Sequence, residues 1–222
     1  MPRQFSRSRR RGASRRRATS WYNKKYSTMQ LAKKAWAATR YLKGLVNSEM
    51  LHKDTDITLG AVQSRLLQIV DITQNDLDSG RTGNSLLLKS IYFRGQLTIN
   101  SSVTSNTRVC LALVKDKQQI ADTAPGLGDI FTSSTDPDTL LNLNTQGRFK
   151  ILWRKTYTLS PVGGGRNCFD ITKYWKLYDH VRYNGPASTD IQKNGYYLAV
   201  ITSEAANFPT IDLNCRVGYH DN

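Results

Sequence analysis

Ile211, Leu213, Cys215, Val217 and Tyr219 alternate with Asp212, Asn214, Arg216 and Gly218, an unbroken period of two that predicts a strand with one face inward. Phe149, Ile151, Trp153, Tyr157 and Leu159 alternate in the same way with Lys150, Arg154, Thr156 and Thr158. Within Leu87 to Asn100 the odd positions Leu87, Ile91, Phe93, Leu97 and Ile99 are apolar, which places them on the buried face. Arg108 to Val114 is apolar on both faces, the mark of a strand covered on both sides. Four further segments extend the pattern: Ile57 to Val70, Cys168 to Tyr178, His180 to Tyr183, and Gly195 to Ser203. Turn clusters separate them at Asp78 to Asn84, Gly163 to Asn167, Asn184 to Pro186, and Asn207 to Pro209. Beyond the N-terminal region the one helical candidate is Asp136 to Leu143, with Asp136 or Asp138 as its cap. Eight extended segments without alternating long helices predict an all-β fold, an eight-stranded antiparallel jelly-roll sandwich.

The first quarter of the chain reads differently. Leu31, Ala35, Ala38, Leu42 and Leu45 recur in steps of four and three, one face of a short helix, with Lys33, Arg40 and Lys43 opposite. Two uses fit this stripe: docking on the body, or a seam packed against other copies while the basic face meets phosphate. Charge sharpens the division. Residues 1–53 hold fifteen Lys or Arg against Glu49 alone, a balance of +14, whereas residues 54–222 set seventeen against sixteen acids, a balance of +1. Three parts follow: a disordered Arg-rich arm at 1–20, a basic aromatic and partly helical segment at 21–53, and a folded domain at 54–222.

A neutral body with a cationic extension predicts an arm that meets a polyanion. Its contacts are assigned to Arg3, Arg7, Arg9, Arg10, Arg11, Arg15, Arg16 and Arg17, continued by Trp21, Tyr22, Lys24, Lys25, Lys33, Lys34 and Arg40. Guanidiniums release counterions from phosphates without reading sequence. Trp21, Tyr22 and Tyr26 either stack on bases or anchor the arm. The Arg blocks also suit nuclear import, and the Arg-rich, Ser-rich start shares features with an organelle transit peptide.

Catalytic signatures fail. No phosphate-binding loop, nucleophile elbow or zinc-protease motif occurs. Cys110, Cys168 and Cys215 are odd in number and widely spaced, and Cys110 reads as a buried hydrophobe. His52, His180 and His220 are scattered, so neither a metal site nor a cofactor is expected. Asp54 with Asp56, and Asp136 with Asp138, could offer oxygens to Ca²⁺, with solvation or capping as the ordinary reading. Gly163 to Gly165, lacking a helix after it, reads as a flexible hairpin. The longest apolar run, Tyr196 to Ile201, is too short to span a bilayer.

Several segments resemble one family. Arg81-Thr-Gly-Asn-Ser-Leu-Leu-Leu-Lys-Ser-Ile-Tyr-Phe-Arg-Gly95 is similar to the R-x-G-N-x-[IL]-x-[IL]-K-S-[IL]-x-[FL]-R-G segment of capsid proteins from small circular Rep-encoding single-stranded DNA viruses. Phe149-Lys-Ile-Leu-Trp-Arg-Lys-Thr-Tyr-Thr-Leu159, Tyr183-Asn-Gly185, Asn194-Gly-Tyr-Tyr-Leu-Ala-Val-Ile201 and Cys215-Arg-Val-Gly-Tyr219 resemble its later strands, with a more distant likeness to satellite plant virus coats. The resemblance implies a non-enzymatic structural protein of the virion. It implies a homo-oligomeric icosahedral T=1 shell, most simply of about sixty copies. It further implies single-stranded DNA as cargo, RNA being the alternative, and delivery to the host nucleus by import factors. The rival class is a cellular or organellar nucleic-acid-binding protein with a β-sandwich body. That protein would carry a basic patch on its body, against which the +1 balance counts.

Overall fold

The computed structural model describes residues 27–45, 50–60, 62–120, 123–162 and 165–221. Contacts divide the chain into Met1–Asn47 and Ser48–Asn222. In the first unit the described element is α1 (Thr28–Leu45). Ser27 and Gln30 form its capping box: the Gln30 amide N–H reaches the Ser27 hydroxyl at 3.4 Å, and the Ser27 N–H reaches Gln30 Oε1 at 3.2 Å.

The second unit contains β1 (Met50–Leu59), β2 (Ser64–Gln68), β3 (Ser85–Thr98), β4 (Thr107–Asp116), the single turn α2 (Leu127–Ile130), β5 (Phe149–Leu159), β6 (Cys168–Tyr183), the short β7 (Ile191–Lys193), β8 (Gly195–Thr202) and β9 (Thr210–Asp221). They form two antiparallel sheets, ordered β1-β9-β3-β6-β7 and β2-β8-β4-β5. Strands adjacent in sequence mostly sit in opposite sheets, and the last strand returns between the first and third. This is the jelly roll that the period-two pattern predicts, with β7 added at one edge.

The two inner faces close one core around Phe93, Leu97, Leu111, Leu198, Leu213 and Val217. A second cluster lies on the other side of β4 and β8, where Cys110, Ala112, Val114, Ala199 and Ile201 meet Ile130, Phe131 and Phe149. That explains why β4 is apolar on both faces: the 117–148 connection covers its back. Asp116, fully buried, is held by Arg148 through hydrogen bonds of 2.8 and 2.6 Å.

Several expectations change. Ile57 to Val70 is two strands in different sheets, one ending at Leu59 and the next beginning at Ser64. Cys168 to Tyr178 and His180 to Tyr183 are one strand, β6. The apparent break falls at a bulge between Leu88 and Ser90, where register jumps from Asp179 to Lys176. The same bulge inverts the phase within β3, burying Leu86 and Leu88 while Leu87 faces outward. Asp136 to Leu143 is not helical: the Asp136 carboxylate takes the Asp138 N–H at 2.9 Å, and the Leu140 carbonyl takes the Thr132 N–H at 2.9 Å, local bonds that compete with a helix. Finally, the turn at Gly163 to Gly165 closes no hairpin, because β5 and β6 belong to different sheets; Gly163 and Gly164 themselves lie outside the described residues.

Candidate nucleic-acid interface

Arg3, Arg7, Arg9, Arg10, Arg11, Arg15, Arg16, Arg17, Trp21, Tyr22, Lys24 and Lys25, with the disordered arm expected there, lie outside the described residues. Lys33, Lys34 and Arg40 sit on α1, all exposed. Spacings of three and four put Lys33, Trp36 and Arg40 along one side. The Arg40 guanidinium lies 3.7 Å from the centre of the Trp36 ring, and Trp36 is 60% exposed. A cation stacked on an open indole is a surface that accepts either a phosphate or a base. On the predicted seam, Leu31, Ala35 and Ala38 are exposed, while the side chains of Leu42 and Leu45 lie outside the described residues.

The body contributes a surface that the sequence pattern did not reveal, the outer face of the β1-β9-β3-β6-β7 sheet. Register sets its rows: Asp54, Arg216, Tyr92 and Tyr174 in one, then Asp56, Asn214, Arg94 and Thr172, then Thr58, Asp212, Gln96 and Asp170. Two depressions of about 520 Å³ flank Gly95, one bordered by Tyr92, Arg94 and Arg216, the other by Arg94, Asp170 and Asp212. Gly95 borders both, and a Cβ there would stand 1.9 Å from the Asp212 carbonyl oxygen. Arg216 binds Asp54 in a two-pronged pair at 2.7 and 2.6 Å. That pair holds the Asp54 carboxyl below its usual range and raises the guanidinium.

Charge on this face is graded. Toward the Gly95 end lie Asp56, Asp170 and Asp212, all exposed; toward the Met50 end lie Lys89, Lys176 and Arg182. The Lys89 ammonium sits 4.1 Å from the centre of the exposed Tyr178 ring. All three histidines, scattered in sequence, are at this same end: His220 pairs with Met50 and Leu87, His180 also pairs with Leu87, and His52 pairs with Gly218. The polar half of the alternation in β9 was the available signal; the cross-strand neighbours follow only from register.

Among the described residues no group of three or more His, Cys, Asp or Glu is placed to hold a metal ion. Asp54 is committed to Arg216 and Asp138 to Arg108. Burial pushes the Cys215 thiol up to about 12 and the Tyr197 hydroxyl, bonded to Gln119, also up to about 12. The three cysteines are unpaired, Cys110 and Cys215 being buried. No helix among the described residues is long and apolar enough to cross a membrane.

The sequence model of one family, described as geminivirus coat protein/nuclear export factor BR1, matches residues 1–222. Over 167 residues the chain is 23% identical to a capsid protein of Tomato leaf curl virus (strain Australia), an alignment covering 71% of this chain and 64% of that protein. The chain thus spans just under two thirds of the length of that curated relative. A solved structure of Desmodium yellow mottle tymovirus aligns with a TM-score of 0.35 at 11% identity, over 78% of this chain and 88% of that one. A 60-mer BFDV capsid protein aligns at 0.16 and 7%, over 79% and 94%. Scores that low add nothing to the topology already described.

Proposed function

Because the chain belongs to the geminivirus coat protein/nuclear export factor BR1 family, we propose that it is a non-enzymatic coat subunit that assembles into a small icosahedral shell around single-stranded DNA. Its kinship with coat proteins of single-stranded DNA viruses agrees with the resemblance read from its strands. The observation that carries the reading is the partition of charge in a chain of this family, +14 over residues 1–53 against +1 over the jelly roll. A balanced body lets copies approach one another, and a separate cationic segment neutralises phosphate without sequence preference. About sixty copies is the smallest closed icosahedral arrangement of one chain.

Within this reading Arg3 to Arg17 grip the backbone, Lys33, Trp36 and Arg40 extend that grip along α1, and the face bearing Leu31, Ala35 and Ala38 packs between subunits. The Arg blocks would also carry the protein into the host nucleus. The test is electron microscopy of purified protein with and without a single-stranded oligonucleotide. Uniform closed shells are the expected result. A persistent monomer that binds the oligonucleotide would instead favour the cellular nucleic-acid-binding class.

A further inference from the structure

All three histidines lie on one surface, although they come from three different strands. His220 on β9 and His180 on β6 flank Leu87 on β3, about 10 Å apart at ordinary strand spacing. His52 on β1 lies diagonally across from His220. Burial fixes their orientation: His52 and His180 are exposed, whereas Leu51, Val181 and Tyr219 beside them face the core. A Cβ at Gly218 would approach both Met50 and His52, so these two cover the bare strand between them.

The charges around the histidines are mostly positive. Facing His180 are Lys176, Tyr178 and Arg182 of its own strand, Lys89 of β3, and Lys193 of β7, whose register partner is Arg182. Facing His220 are His52 of β1 and Lys89 of β3, with Asp221 beside it in β9 accepting from the Thr82 N–H and hydroxyl. Facing His52 are Asp54 of its own strand and Arg216 and His220 of β9, with Asp54 committed to Arg216. Asp179 turns away, to Lys115 and Tyr196.

We propose that this end of the outer sheet face, formed by His52, His180, His220, Lys89, Lys176, Arg182 and Tyr178, is a second polyanion-binding surface whose grip on single-stranded DNA is set by protonation of the three histidines. The proposal rests on the packaging role proposed above and adds a site on the body and a control. Near neutral pH the surface offers its lysines and arginine with an exposed tyrosine ring. Histidine is the side chain whose charge changes between pH 5 and 8, so acidification adds up to three cations to an already basic surface. The 1–49 segment contains no histidine and only Glu49 as an acid, so its own contribution is constant over that range.

The test uses the full chain and a labelled oligothymidylate, with affinity measured at pH 7.5 and 5.5 and at several salt concentrations. The parent protein should bind about tenfold more tightly at pH 5.5, and its log affinity should fall more steeply with log salt, by about 0.7 for each additional phosphate neutralised. A variant combining His52→Gln, His180→Gln and His220→Gln should lose the pH response, binding at pH 5.5 within about twofold of its own affinity at pH 7.5. A Lys176→Gln, Arg182→Gln variant, which keeps the histidines, should bind more weakly at both. Circular dichroism confirms that each variant keeps its strand signature. If the histidine variant tightens on acidification as much as the parent, or the parent does not respond to pH, the histidine control is overturned while the arm's role stands. If the parent binds no oligonucleotide at either pH, the packaging reading falls with it.

Discussion

Arg81 shows how much a single side chain holds in this fold. It is fully buried, and its guanidinium donates to the carbonyls of Ile72 at 3.2 Å and Gly83 at 2.6 Å and to that of Gly185, while its cation lies 3.9 Å from the Tyr183 ring. Burial lowers its proton affinity, and carbonyl dipoles with an aromatic face replace a carboxylate partner. Arg81→Met leaves at least three carbonyls without their donor, so stability should fall by about 3 kcal/mol, read as a lower urea midpoint at unchanged slope. In sequence Arg81 sits in a turn cluster with Ser79, Gly80, Thr82, Gly83 and Asn84 and reads as a solvated loop residue. Only the family-like segment singles it out, because its carbonyl partner at 185 is over a hundred residues away. Asp179 permits a pH test of a second polar contact. Burial opposes its ionisation, but hydrogen bonds from Lys115 and Tyr196 outweigh it and hold the carboxyl below its ordinary 3.8. A depressed value means stabilisation that is present above 3.8 and lost as pH falls through the folded value. Asp179→Asn should therefore cost stability at pH 7, and its deficit against the parent should shrink in urea titrations at pH 3.

Elements were legible where one periodicity ran undisturbed. β9 emerges from strict alternation, and β4 and β8 from apolar runs that two separate hydrophobic clusters then account for, whereas in β5 a bulge at Leu152 resets the phase, so Phe149 and Ile151 join the second cluster while Trp153, Tyr157 and Leu159 face the first. The errors occur where a local event resets the phase. At the bulge opposite Lys89, both Leu177 and Tyr178 fall between register partners, which divided one strand into two and moved Leu87 to the wrong face. Between Leu59 and Ser64 the chain changes sheet while the sequence keeps its apolar content, so two strands read as one. The helix was legible from its Leu and Ala stripe, and its cap was written in Ser27 and Gln30. A helix with this many like charges and every described side chain from 27 to 41 exposed is marginal by itself. Ser27→Ala, which removes one half of the box, should cost about 1 kcal/mol of helix stability and reduce the helical circular dichroism signal. Leu42→Asp tests the proposed seam: a carboxylate placed between packed copies lacks a partner and is penalised. Sedimentation should then show fewer or smaller assemblies while the strand signature persists. Parent-like shells with parent-like nucleic-acid content would remove the stripe from assembly.

For the whole molecule, the decisive feature is that charge and folding information occupy different stretches of chain. Among the described residues the jelly roll closes both hydrophobic clusters with buried side chains from within residues 57–219. A truncated chain lacking residues 1–20 should therefore fold and, on the coat reading, still assemble. That truncation removes eight guanidiniums and no acid, reducing the formal balance of residues 1–53 from +14 to +6. Fewer counterions are then released per strand bound, so its particles should be depleted in nucleic acid, read as a lower ratio of absorbance at 260 to 280 nm. Substituting Arg9, Arg10, Arg11, Arg15, Arg16 and Arg17 by Gln separates charge from length. If each neutralises one phosphate, the salt slope should drop by about 0.7 for every arginine replaced, or roughly four units in all. The same variant fused to a fluorescent reporter should lose nuclear accumulation. An unchanged slope would move the phosphate-binding residues to Lys24, Lys25, Lys33 and Lys34 or to the outer sheet face, and the pH response of the three histidines distinguishes those two: a grip confined to the segment before Met50 cannot tighten on acidification, whereas one that includes the sheet face must.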